Sequence, residues 1–176
     1  MLIYPFLKKN QNIAGGFLLI EALIIITLIS LIVTLGLSFG TSLHKALVRS
    51  EIEKLYSACI YLQRIAMVTN KRQLLTFDIN KNTYYYQGHE ERLCHYVTFG
   101  TTIGIKGPPS APTNVINKPI TFTNNQIIFT PNGILQSGTI YLTDASKQHQ
   151  YALSVPVSQI SFLRKYRYDS RWNYFP

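Results

Sequence analysis

Between Ala14 and Gly40 the chain carries one ionisable side chain, Glu21, in a run otherwise made of apolar residues, hydroxyl residues and glycine. A helix from Phe17 to Phe39 spans roughly 35 Å at about 1.5 Å per residue, enough to cross a hydrocarbon core of about 30 Å. Sixteen of its residues are Leu, Ile, Val or Phe. At about 0.5 kcal/mol each they favour insertion by roughly 8 kcal/mol, against a cost of about 3 kcal/mol for one carboxylate at the centre. The segment is therefore expected to be a membrane span, and Glu21 to have a cationic partner. Thr27, Ser30, Thr34 and Ser38 recur at three- and four-residue steps, and Gly36 with Gly40 forms a GxxxG pair. Two readings stay open: a stripe for close helix approach, or hydroxyls bonding back to their own helix carbonyls.

A short leader with Lys8 and Lys9 precedes Gly15-Gly16, and glycine is a poor helix former, so the leader is expected to stay extended and open to a protease there. Cleavage after Gly16 creates an α-amino group on Phe17, one helical turn before Glu21. Gly16-Phe17-Leu18-Leu19-Ile20-Glu21 resembles the cleavage and methylation motif of type IV prepilins and type II secretion pseudopilins. The resemblance implies that a prepilin peptidase cuts after Gly16 on the cytoplasmic side and methylates Phe17, and that Glu21 is the assembly residue at the fifth mature position. The family's usual Thr or Ser after the Phe is Leu18 here. The physical argument runs the same way: a carboxylate that is costly alone in lipid is neutralised by the N-terminal ammonium of a neighbouring subunit. The alternative is a signal-anchored periplasmic protein outside any filament.

Lysines and arginines give the 176-residue chain a formal charge of +9, and removing the leader's two lysines leaves +7. Such an excess favours anionic partners without saying anything about fold. Cys59 and Cys94 have neither CxxC nor zinc-type spacing; they are a candidate disulfide outside the cytoplasm, or two buried thiols. His44, His89, His95 and His149 are scattered, and no metal site is inferred. Ser42-Leu43-His44-Lys45 fits a Ser-x-x-Lys pattern, but the companion motifs of penicillin-binding enzymes are absent. No nucleophile, base or cofactor-binding pattern has a recognisable setting, so the chain is read as a non-enzyme without a cofactor. Lys45, Arg49 and Lys54 balance Lys8 and Lys9, so charge alone does not orient the span. The motif does: it implies a cytoplasmic N-terminus, a single pass through a bacterial inner membrane and a periplasmic C-terminal domain.

Past the span, Leu43, Leu47, Leu55, Ala58, Cys59, Leu62, Ile65 and Ala66 keep helical spacing, which predicts one long helix over roughly 17–69. The period then changes. Residues 73–79 and 83–87, separated by Asn80-Lys81-Asn82, read as a hairpin; Tyr84-Tyr85-Tyr86 is either an aromatic strand or a stacking platform. Strands are predicted over 93–99, 101–105, 120–123, 126–130, 139–143, 151–155 and 159–164, with a breaker-rich loop over 107–114. The domain plan is thus a leader over 1–16, a membrane or filament-core helix over 17–40, an amphipathic continuation over 41–70 and a β-rich domain over 71–176. The fold class is α+β, a pilin-like long N-terminal helix packed on antiparallel β-sheets. Residues 127–133, 138–142 and 152–155 resemble the C-terminal half of GspH- and FimT-type minor pseudopilins and minor pilins, with Ser158-Gln159 where that group commonly has Gly-Arg.

The resemblance implies a filament subunit of a type II secretion or type IV pilus system, whose partners are the prepilin peptidase, other pilins or pseudopilins and the inner-membrane assembly platform. The tail adds a second expectation. Arg164, Lys165, Arg167 and Arg171 alternate with aromatics up to Phe175, the ingredients of DNA binding by phosphate contact and base stacking. Some minor pilins of this group take up DNA through basic C-terminal residues, so a DNA-capturing tip subunit is the alternative function. The competing reading of the tail is a terminal strand whose aromatics cover the core.

Overall fold

The computed structural model describes residues 13–107, 110–158 and 161–176, with side chains described except at 13–17 and 35–42. Helix α1, Ile13–Thr69, is one continuous element of 57 residues. Gly15 and Gly16 therefore lie inside it, not in an extended leader. Each glycine costs about 1 kcal/mol relative to Ala, but the long run of good helix formers after them supplies the nucleus from which the helix propagates. The leader proper, with Lys8 and Lys9, lies outside the described residues. At its other end α1 stops on Asn70, whose φ of 51° is left-handed. The Lys71 amide donates back to the Ala66 carbonyl at 3.2 Å, closing the last turn as a Schellman-type cap with Asn in the usual glycine position.

The chain divides into two compact units, Met1–Ser42 and Leu43–Pro176. In the first, the described side chains run from Leu18 to Thr34, and all are exposed. Among the described residues no helix is long and apolar enough to cross a membrane. The apolar run whose side chains are described covers only about 25 Å, and the expected span reaches full length only with residues 35–39.

In the second unit α1 buries Val48, Ile52, Leu55, Cys59, Leu62 and Ala66 completely. Their spacing alternates four and three residues, which keeps one stripe facing the core. Val48 and Ile52 replace the expected Leu43, which is exposed, and Leu47, which is half-buried. The stripe packs on two antiparallel sheets. The first has strand order β3-β2-β1-β5, with β1 Gln73–Asp78, β2 Thr83–Tyr86, β3 His89–Arg92 and β5 Gln126–Phe129. The second has the order β4-β6-β7-β8-β9, with β4 Val97–Phe99, β6 Gly138–Asp144, β7 Gln150–Val155, β8 Arg164–Asp169 and β9 Arg171–Phe175. The fold is α+β as predicted, with residues from α1 and both sheets in one core cluster.

The predicted hairpin forms with Thr76 opposite Tyr85 and Asp78 opposite Thr83. Its turn is built by Asp78, whose Oδ1 accepts from the Asn80 and Lys81 amides at 3.0 and 3.1 Å, and by Asn82 at φ 53°. Other expectations need correction. Residues 101–105 form a turn, and Ile120 makes only an isolated bridge to Ile140 before the 3-10 turn Thr123–Asn125. The expected strand over 159–164 is displaced: residues 161–163 are irregular, 159 and 160 lie outside the described residues, and β8 begins at Arg164. The tail is a β-hairpin because Ser170, at φ 62°, turns the chain between Asp169 and Arg171.

Candidate functional site

Two stretches carry the functional expectations, the N-terminal part of α1 and the β8–β9 tail. In α1, Phe17 and Glu21 are four residues apart and so share a helix face. Glu21 is exposed, and the side chain of Phe17 lies outside the described residues. Thr27 Oγ1 donates to the Ile24 carbonyl at 2.8 Å, and Ser30 Oγ to the Thr27 carbonyl at 2.9 Å. Thr34 Oγ1 donates to the Ser30 and Leu31 carbonyls, both at 2.9 Å. These three hydroxyls thus satisfy themselves on their own helix; Gly36, Ser38 and Gly40 have no described side-chain environment.

The tail's four cations are separated by the pleat. Lys165 turns towards α1: its Nζ donates to both carboxylate oxygens of Glu53, at 2.9 and 2.7 Å, and lies 4.7 Å from the Tyr56 ring centre and 5.3 Å from that of Phe175. Its side chain is 10% exposed. Aromatic faces attract a desolvated cation and the carboxylate neutralises it, so Lys165 is an internal tie rather than a phosphate contact. Arg167, on the same face, is ion-paired to Asp169. Arg164 points the other way, its guanidinium 4.9 Å from the Phe162 ring centre, and Arg171 is exposed beside the turn. One surface therefore does not present all four.

Tyr166, Tyr168, Trp172 and Tyr174 lie on the outer face of the second sheet, whereas Phe175 packs on the core side against Tyr151. Trp172 packs on Tyr141 and Tyr168 with ring centres 5.7 and 5.3 Å apart, and its Nε1 donates to the Lys106 carbonyl at 2.9 Å. Gly107 sits beneath it at φ 107°, where a Cβ would lie 2.7 Å from Trp172 Nε1. The Gly107 amide donates to the Asn114 carbonyl at 2.8 Å, so the tail holds down the base of the breaker-rich loop. Burial pushes the Tyr141 hydroxyl pKa up, partly offset by a hydrogen bond with Thr139, which keeps it neutral.

Cys59 and Cys94 are both free: the first is fully buried in the core and the second half-buried against it. Burial alone pushes the Cys59 thiol up, so it is inert at neutral pH. Tyr84 and Tyr86 stack at 6.2 Å, but Tyr84 is buried, so they do not form an open three-base platform.

Sequence reasoning missed three polar groups that organise the domain. Gln63 is buried on α1 and donates from Nε2 to the carbonyls of Gly133 and Ser161, at 2.9 and 2.8 Å, tying two connections to the helix. Glu53 anchors Lys165. Asp144 is buried at the end of β6, accepts from the His149 amide at 2.7 Å and from Ser146 Oγ, and lies 3.8 Å from His44 Nδ1. Burial pushes its carboxyl pKa up, but the Ser146 and His149 hydrogen bonds and the nearby His149 ring outweigh this and hold it below the ordinary value.

A long helix with an exposed apolar N-terminal part, and a continuation that forms the core of a two-sheet domain, defines the pilin-like class of α+β proteins. The chain belongs to the GspH family, described as type II transport protein GspH, whose family model matches residues 51–159. That match covers more than half of the chain but neither the Gly16–Glu21 motif nor the tail. GspH proteins are structural components, and the chain is not an enzyme. Among solved structures, the minor pseudopilin EpsH from the type 2 secretion system of Vibrio cholerae is similar, with 10% identity and a TM-score of 0.47 over 67% of this chain and 94% of that one. No curated protein matches the sequence.

Proposed function

We propose that the chain is a minor pseudopilin, a filament subunit of a type II secretion or related type IV pilus system that is stored in the inner membrane before assembly. The prepilin peptidase removes residues 1–16 and methylates Phe17. The segment from Phe17 to Phe39 rests in the bilayer with the β-rich domain in the periplasm, and Glu21 draws the subunit to the ammonium of a neighbouring pseudopilin at the assembly platform. The observation that supports this best is the described part of α1 from Leu18 to Val33. It exposes eleven Leu and Ile residues and one Val, with Glu21 as the sole charge, in the same helix that goes on to plug a GspH-type core. So much exposed apolar surface needs a cover, and both lipid and a filament core supply one.

DNA capture by the tail is the weaker reading, because Lys165 and Arg167 are engaged in internal ion pairs and only Arg164 and Arg171 are left to contact phosphate. The test of the main reading is the intact mass of the protein from its native membrane. Loss of residues 1–16 together with gain of one methyl group is the expected result, and an uncut N-terminus would overturn the proposal.

A further inference from the structure

The turn over residues 102–105 is closed by the Ile105 amide, which donates to the Thr102 carbonyl at 3.3 Å, with Gly104 at φ 89° in its third position. Ile103 takes the second position, the outer corner, and is 92% exposed where turns ordinarily carry polar residues. It is not isolated. Lys106 bridges to Val115, itself 69% exposed, and a hollow of about 270 Å³ joins Ile103, Ile105, Val115 and Ile116. A second hollow of about 370 Å³ shares Gly104 and Lys106 with the first and adds Arg171 and Trp172, whose Nε1 donates to the Lys106 carbonyl. A third shares Val115 and Ile116 and adds Lys118. The apolar corner, the two chain segments beside it and the tail hairpin therefore form one continuous surface.

Lys106, Lys118 and Arg171 on this surface are exposed and form no ion pair among the described residues. No free carboxylate opposes them: between Arg92 and Pro176 the sequence holds two acids, Asp144, which is buried, and Asp169, which is paired with Arg167. Trp172 adds a half-buried ring whose polar edge is already bonded, with Tyr168 against it. Exposed apolar corners flanked by unpaired cations and amphipathic aromatics are the composition that settles at the boundary between lipid headgroups and acyl chains. A nucleic acid would use the cations and leave Ile103 and Val115 in water. We infer that this face of the second unit docks on an anionic phospholipid surface, with Ile103 and Val115 entering the headgroup layer and Lys106, Lys118 and Arg171 meeting lipid phosphates. Three cations and two apolar side chains bind a bilayer weakly by themselves, but a domain tethered to that bilayer by its own helix meets lipid at high effective concentration. The inference rests on the placement of residues 17–39 in the membrane proposed above.

The test uses the full-length protein reconstituted into vesicles and reads the fluorescence of Trp172, the chain's one tryptophan. The vesicles are equal parts phosphatidylglycerol and phosphatidylcholine, or phosphatidylcholine alone, each with part of its acyl chains brominated next to the headgroup. Bromine quenches only a ring close to it. The expected result is quenching about twofold or more stronger in the anionic vesicles, falling to the neutral level in about 1 M salt, where charges are screened within about 3 Å. Ile103→Asp, and separately Lys106→Glu with Arg171→Glu, should abolish the difference while leaving the emission in detergent as in the parent. All three side chains are exposed, so neither variant disturbs the core. Quenching that is equal in the two lipids, or indifferent to both variants, overturns the inference. So does shielding of Trp172 that appears only when a second pseudopilin is reconstituted with it, which assigns the face to an acidic protein partner. Flotation of the same vesicles separates the two proposals: protein that floats without the anionic quenching removes only the docking, whereas protein that floats with neither lipid removes the membrane reading and the docking with it.

Discussion

Asp144 shows how one side chain ties the stability of the domain to pH. It is buried, its oxygens are occupied by Ser146 and the His149 amide, and its pKa is held below the ordinary 3.8. The unfolded chain therefore takes up the proton first on acidification. Its contribution to stability is complete above about pH 4 and is lost as pH falls through the lower folded-state value. Asp144→Asn keeps a carbonyl acceptor for the His149 amide but loses the charge-assisted bonds, and should cost about 1–3 kcal/mol at pH 7. It should also flatten the acid limb of the unfolding curve. Thermal unfolding of the full chain in detergent between pH 7 and pH 3 checks both effects, and a variant with the parental acid slope would remove Asp144 as the cause. Nothing in the sequence marked this residue. An Asp before a turn is ordinary, and its burial comes from distant partners: it pairs with Val97 of β4 and lies beside His44 of α1.

Elements were legible in the sequence where local chemistry and burial agree. The β1–β2 hairpin was readable because alternating apolar residues flank a turn made by Asp78 and Asn82, both of which act through neighbouring backbone. Strand β3, His-Glu-Glu-Arg, was not, because an edge strand exposed on both faces has no apolar alternation to see, and its charges blunt the open edge. Val48 and Ile52 were missed since the leucines at 43 and 47 suggested a stripe about one position off. Of the two readings of the tail, a terminal strand is what forms: β9 pairs with β8 and lays Trp172 against Lys106 and Gly107. Trp172→Ala should therefore destabilise the domain by about 2 kcal/mol, less than the 3–5 kcal/mol of a fully buried aromatic because the ring is partly exposed. It should also raise hydrogen exchange at the Gly107 amide more than at the β6–β7 ladder. Unchanged protection at Gly107 would show that the loop stands without the tail.

On the scale of the whole molecule, the chain combines a GspH-type domain with a helix start that the family match does not reach. Under the assembly proposal, that helix start carries the subunit into the filament. Glu21 is the side chain on which that proposal turns. In a bilayer its carboxylate costs about 3 kcal/mol at most, against roughly 8 kcal/mol from the apolar residues around it, so removing the charge cannot impair insertion. Glu21→Ala should then be made, inserted and cut after Gly16 like the parent, because the scissile bond lies outside the altered turn. Its capture by a neighbouring N-terminal ammonium should be lost, and with it the material recovered in sheared filaments, by tenfold or more. Glu21→Asp keeps the charge on a shorter arm and should recover part of that assembly, which loss of helix packing alone would not predict. If Glu21→Ala assembles as the parent does, the carboxylate is incidental, and filament entry must be driven by the apolar face and the domain contacts instead.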